Sequence, residues 1–263
     1  MSTIWMIAQG TFGEAIRRKV LLVFLFVALA IMLMGVAFAS FTPRQEMVII
    51  KSLGLGVIAL AGVFISVILG INLIPQEIER RTIYTILSKP VQRYQFLCGK
   101  FLGGLLTVLS NIALMGLVFI ILVAVKERGF DADVMSVVKG VVMIFFQLTL
   151  VGAVALFFSV FLSPFVNFFL TFAIYLLGSL SSVTESLASN TDGKKNPLVV
   201  GLFKLIHVVV PNFGNFNIQN PIIHPDVHIA NEGRYLTYLV GYALVYTAAL
   251  LLAAVLIFDK REV

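Results

Sequence analysis

Residues 77–100 read EIERRTIYTILSKPVQRYQFLCGK, a long charged segment set between two runs of nearly pure hydrocarbon. Glu77, Glu79, Arg80 and Arg81 open it, and Ile83, Tyr84, Ile86 and Leu87 follow. Ser88-Lys89-Pro90 interrupts it, and Arg93 and Lys100 lead back into apolar sequence. A compact polar island between two apolar runs of span length is a chain leaving a bilayer, turning in water and re-entering. Such a loop is where a membrane protein is gripped from the aqueous side.

Composition agrees with that reading. Of 263 residues, 60% are hydrophobic and 12% charged, with a mean hydropathy of +1.03. A soluble domain carries about 25% charged residues and has no core large enough for this much apolar surface. The formal charge of +6 is spread over span ends rather than gathered in a patch, which fits an anionic leaflet and not a nucleic acid. The single cysteine, Cys98, has no internal disulfide partner. The start, MSTIWMIAQG, lacks the basic residues of a cleavable signal.

Six apolar runs, near 20–41, 52–75, 100–125, 137–162, 165–188 and 235–258, each have the roughly 20 residues that cross a hydrocarbon core of about 30 Å. The expected fold is an all-α polytopic membrane protein, a single transmembrane domain over 1–263. Ser163-Pro164 makes a tight hairpin between the fourth and fifth spans. Ahead of the first span, Ile4, Ile7, Ala8, Phe12 and Ala15 recur at helical spacing with Trp5 beside them. Residues 1–19 are therefore expected as an amphipathic interfacial helix.

The lysines and arginines next to short segments orient the chain with both termini cytoplasmic. Arg17, Arg18, Lys19, Arg80, Arg81, Lys89, Arg93, Lys100, Lys260 and Arg261 then lie inside. That makes 76–99 a cytoplasmic loop and 189–234 an outer loop. The outer loop holds an apolar stretch at 198–210, too short to span and expected as a re-entrant or interfacial segment. Its remainder, PNFGNFNIQNPIIHPDVH, reads as a turn-rich cap.

Within the inner loop, Pro75 ends the second span. Glu77 and Glu79 fall where carboxylates favour a helix start, and Pro90 stops the helix that follows. Merely being in water accounts for charge, but not for this helix-Pro-helix grammar in a loop longer than typical connections.

The segment resembles the intracellular loop of permease subunits of type-2 ABC exporters. That family shows a Glu-rich start, a Gly-Thr-Leu-like step, a few apolar residues, a basic-Pro pair, an Arg, and Gly-Lys entering the third span. Here the matching residues are Glu77 and Glu79, Thr82-Ile83, Ile86-Leu87, Lys89-Pro90, Arg93 and Gly99-Lys100, with Arg81 where a Gly is common. Among such permeases it most resembles the group associated with maturation of nitrous-oxide reductase, a multicopper enzyme. The resemblance implies a coupling helix on which a separate cytoplasmic ABC ATPase docks through Glu77, Glu79, Arg80, Arg81, Thr82, Ile83, Tyr84, Leu87, Lys89, Pro90 and Arg93. It also implies ATP and Mg on that partner and no cofactor on this chain, which has no Gly-x-x-x-x-Gly-Lys-Ser/Thr. Six spans are half of such a transporter, so a second copy is implied, most simply as a homodimer in the inner membrane.

Asn111, Gln147, Asn167 and Tyr242 are candidates for lining a path; polar residues in spans more often tie helices together. Tyr235, Tyr238, Tyr242 and Tyr246 form a stripe at helical spacing, and Gly99-x-x-x-Gly103 permits close packing. Pro225 separates His224 from His228, and no third ligand is near, so a metal site is not expected. The rival reading is a scaffold that carries force from a cytoplasmic ATPase to an outer-side protein without moving a substrate. A membrane enzyme is disfavoured, because no nucleophile set, carboxylate pair or metal cluster falls in the spans.

Overall fold

Leucine, isoleucine, valine, alanine and phenylalanine dominate every long run, and helices are the only open-ended elements that satisfy their own backbone in lipid. The computed structural model describes residues 3–42, 45–79, 92–127, 129, 132–180, 210–217 and 231–260, of which 20, 78, 79, 132 and 133 are described by backbone alone. In chain order the helices are α1 (Thr3–Ile16), α2 (Lys19–Ala39), α3 (Glu46–Asn72), α4 (Pro75–Glu79), α5 (Arg93–Glu127), α6 (Ala132–Ser159), α7 (Pro164–Ser179) and α8 (Glu232–Lys260), with a 3-10 turn at Gly214–Phe216 before α8. Among the described residues there is no strand.

Five helices (α2, α3, α5, α6 and α8) are long and apolar enough to cross a membrane. α7 has 16 described residues, about 24 Å at 1.5 Å per residue and short of the ~30 Å core. The rest of the fifth expected span lies outside the described residues. Ser163 is extended at the N-cap of α7 and Pro164 occupies its first turn, where a missing N–H costs nothing. α5, with 35 residues, runs about 52 Å and overhangs the core.

α3 and α6 form the centre. α3 packs on α2, α5, α6 and α7; α6 packs on α3, α5, α7 and α8. Their approach is set by small residues. A Cβ on Gly62 would lie 2.3 Å from Leu148 of α6, and one on Gly70 would lie 2.4 Å from the Cβ of Ala155. A Cβ on Gly54 would fall 2.0 Å from the Phe119 ring of α5. Ser66 donates to the Leu148 carbonyl at 2.8 Å in the same seam. With lipid tails as apolar as leucine, close van der Waals packing of this kind is what holds spans together.

α1 packs more on α5 than on any other helix. Ala8, Thr11 and Ala15 are its buried residues, three small side chains on one face. Ala8 and Thr11 meet Gly103, whose Cβ would fall 2.6 Å from the Ala8 carbonyl, and Ile7 meets Gly99, whose Cβ would fall 2.8 Å from it. Trp5, Met6 and Ile16 face outward.

Candidate functional site

The roots of the polar loop are described and its middle is not. Arg80, Arg81, Thr82, Ile83, Tyr84, Leu87, Lys89 and Pro90 lie outside the described residues, and Glu79 is seen only as the last residue of α4. Pro75 opens α4 after a turn at Leu73-Ile74, and the Glu77 amide donates to the Ile74 carbonyl at 3.0 Å. That turn points Glu77 at α5, where its carboxylate pairs with Lys100. The Lys100 side chain is buried and that of Glu77 largely so. The Lys100 ammonium also lies 5.9 Å from the Phe96 ring centroid, within cation–π range. Gln76 accepts a hydrogen bond from Arg18, at the junction of α1 and α2, and Arg18 reaches Glu14 at 3.5 Å.

The second root is bound as firmly. Arg93 begins α5, and its Nη1 donates to the carbonyls of Phe258 (2.7 Å) and Asp259 (3.0 Å) at the end of α8. Its guanidinium lies 5.7 Å from the Phe258 ring centroid. A cation on the free carbonyls of a helix C-terminus satisfies them and complements the helix dipole. The described residues on either side of 80–91 are thus tied to α1, α5 and α8. Among the described residues no group of three or more His, Cys, Asp or Glu could hold a metal; His207, His224 and His228 lie outside them.

The family model described as ABC-2 family transporter protein matches residues 5–263. The chain belongs to that family. None of the curated proteins compared with it matches. As an ABC-2 family member with five span-length helices, it is a multi-pass membrane protein and the permease component of an ABC transporter, a non-enzymatic part of the machine.

In this permease the four polar candidates for a path are placed as follows. Gln147 donates to the Phe213 carbonyl at 3.2 Å, joining α6 to the 210–217 segment. Asn167 is fully buried and donates to the Ala155 carbonyl at 2.8 Å, while its own carbonyl accepts from the Thr171 hydroxyl at 2.8 Å. The Tyr242 hydroxyl accepts from the Asn212 amide at 3.1 Å. Asn111 donates to Thr107 one turn back in its own helix and is half-buried. Three of the four therefore join separate elements.

Sequence reasoning missed the burial of two charges. Lys51, just ahead of the second expected span, and Lys100, at the start of the third, are only 3% and 7% exposed. Lys51 lies 3.5 Å from Glu127, and Glu46 pairs with Lys126 beside them. A usable signal was present: Lys51 to Glu77 and Lys100 to Glu127 are nearly equal intervals, as opposite charges must be to meet at both ends of an antiparallel pair.

Proposed function

We propose that residues 77–100 are the coupling site of an ATP-driven exporter: the ABC ATPase docks on the loop, and its movement passes through the loop roots into the bundle. The observation that carries this is the Glu77–Lys100 pair, in which Lys100 is buried, flanked by Arg18–Gln76 and by Arg93 on the end of α8. A displacement of α4 is opposed by α1, α2 and α5 together, so it moves helices rather than bending a loop. Glu79 and Arg81 set register with the ATPase, and Ile83, Tyr84 and Leu87 fill a pocket on it. Hydrolysis with ATP and Mg takes place on that partner.

The finer reading places both termini and the loop in the cytoplasm and the chain in an inner membrane. Two copies build the complete transporter, and Asn111 is the polar residue best placed for a path. The likeness of the loop to permeases of the nitrous-oxide-reductase maturation group supports export; the cargo is not named by it.

The test is charge reversal in the permease co-expressed with its ATPase and reconstituted in nanodiscs. Glu79→Arg and Arg81→Glu are expected to abolish co-purification. Glu77→Lys and Lys100→Glu are expected to keep co-purification but lose permease-dependent ATPase turnover, and the double reversal to regain part of it. Survival of both co-purification and turnover in all four single variants would rule the docking role out.

A further inference from the structure

Residues 211–217, PNFGNFN, hold only one 3-10 turn, yet Phe213 and Phe216 are each 1% exposed. Their backbone is held by side chains from two helices. Gln147 donates to the Phe213 carbonyl, Tyr242 accepts from the Asn212 amide, and the Tyr235 hydroxyl donates to the Asn215 carbonyl at 2.9 Å. Phe213 also packs against the Tyr175 ring at 5.5 Å, and Phe216 against Tyr242 at 6.3 Å. This segment does not lie on top of the bundle. Ala59, which shares a cavity with it, is eight residues beyond Lys51, about 12 Å further along α3. Irregular backbone inside a bundle of membrane-spanning helices persists only when enclosed by protein or lining a water-filled space.

The segment is enclosed by α3, α6, α7 and α8, and it borders a cavity. That cavity of about 90 Å³ lies between α3, α6, α7 and the segment, room for several water molecules. Gln147, Tyr175, Ser179 and Asn217 bring amides and hydroxyls to it, with Ala59 and Ile144 among the apolar lining. Gln147 is 6% exposed and already fixed by Phe213, so its orientation is set before anything binds. Among the described residues the lining carries donors and acceptors but no charge. An ion entering it would lose hydration with no counter-charge in return, whereas an uncharged group rich in hydroxyl or amide would exchange water for ready partners.

We propose that this cavity is a binding pocket for a small uncharged hydrogen-bonding molecule, a site inside one protomer and separate from the coupling loop. It stands on residues that the coupling reading does not use.

Cysteine chemistry tests it in the full-length permease in membranes. Only a thiolate reacts with a methanethiosulfonate, so modification reports water as well as access. Ser179→Cys and Ala59→Cys are made in a Cys98→Ser background, with the outward-facing Leu177→Cys as the dry control. The probes are hydroxyethyl methanethiosulfonate, which is uncharged, and its trimethylammonioethyl counterpart, each rate scaled to that reagent's reaction with a free thiol. Expected is reaction of both pocket cysteines with the neutral reagent at least about tenfold faster than the control, and with the cation at least about tenfold slower than with the neutral reagent, each factor corresponding to ~1.4 kcal/mol. Adding Ala59→Phe to Ser179→Cys should return its rate to the control value. Neutral-reagent rates no faster than at Leu177→Cys would mean a dry gap and overturn the proposal. Equal rates for the two reagents would mean an open vestibule without selectivity and overturn it as well. If Ser179→Cys does not fold, Ala59→Cys gives the same reading alone.

Discussion

Lys51, near the start of α3, lies 3.5 Å from Glu127, the last residue of α5. At the far ends of the same antiparallel helices, Glu77 just beyond α3 is paired with Lys100. The two pairs are separated by 77 − 51 = 26 residues on one strand of the hairpin and 127 − 100 = 27 on the other. At 1.5 Å per residue this is about 40 Å, close to a bilayer with its headgroup layers. The two charge pairs hold the α3–α5 register from both ends, with a separation that suits a membrane-spanning pair.

Burying a charge is costly, and breaking one side of a buried pair leaves the other uncompensated. Lys51→Met is expected to lower stability by about 3–5 kcal/mol, and Lys51→Met with Glu127→Leu to recover most of it. Thermal denaturation of the detergent-solubilised permease, followed by fluorescence-detected size exclusion, reads this as a double-mutant cycle. Additive losses in the double variant would show that the two side chains do not act as a pair.

Arg93 closes the end of α8 and is partly exposed, which weakens its ion pair with Asp259 at 4.0 Å but not its two carbonyl bonds. Arg93→Ala is expected to cost about 1–2 kcal/mol. The local signature is faster amide exchange across the last turns of α8, with α2 unchanged. Arg93→Lys, a single ammonium in place of a fork, should fall between the two. Unchanged exchange near Phe258 would remove the capping role.

Asn167 joins α7 to α6 through the Ala155 carbonyl, deep in the bundle. Interhelical hydrogen bonds in membranes are worth about 0.6–1.7 kcal/mol. Asn167→Leu should cost at least that, because the isobutyl group must fit the space of an amide and leaves the Thr171 hydroxyl without this acceptor. Thr171→Val should recover part of the loss when added to Asn167→Leu. A path-lining residue predicts otherwise: full stability with altered ATPase stimulation in the reconstituted complex.

The spans and the α6–α7 turn were legible, because long apolar runs and a Pro at the first turn of a helix are local signals. The partners of Lys51 and Lys100 were not, since pairing depends on depth in neighbouring helices and not on sequence proximity. PNFGNFN read as an outer cap because its Pro, Asn and Gly favour turns. Its burial is decided elsewhere, by Gln147, Tyr235 and Tyr242. Gly99-x-x-x-Gly103 was visible but common in spans; its partner is the small-residue face of α1, where Thr11 joins the expected stripe of Ile4, Ile7, Ala8, Phe12 and Ala15.

That face makes the last prediction sharp. A side chain at Gly103 meets the Ala8 carbonyl and the Thr11 Cβ at 2.6 Å, and backbone does not step aside as a flexible side chain does. Gly103→Leu should therefore push α1 off α5, while Gly10→Ala, which points into open space, should leave it seated. Ala8, fully buried in the contact, reports the outcome as Ala8→Cys in a Cys98→Ser background. Its maleimide labelling should be slow with Gly103 or Gly10→Ala and fast with Gly103→Leu. If α1 carries movement of the loop root through Arg18 and Gln76, the same Gly103→Leu variant should bind the ATPase and stimulate it poorly. Slow labelling with Gly103→Leu would mean that α1 is held by contacts other than the glycine pair.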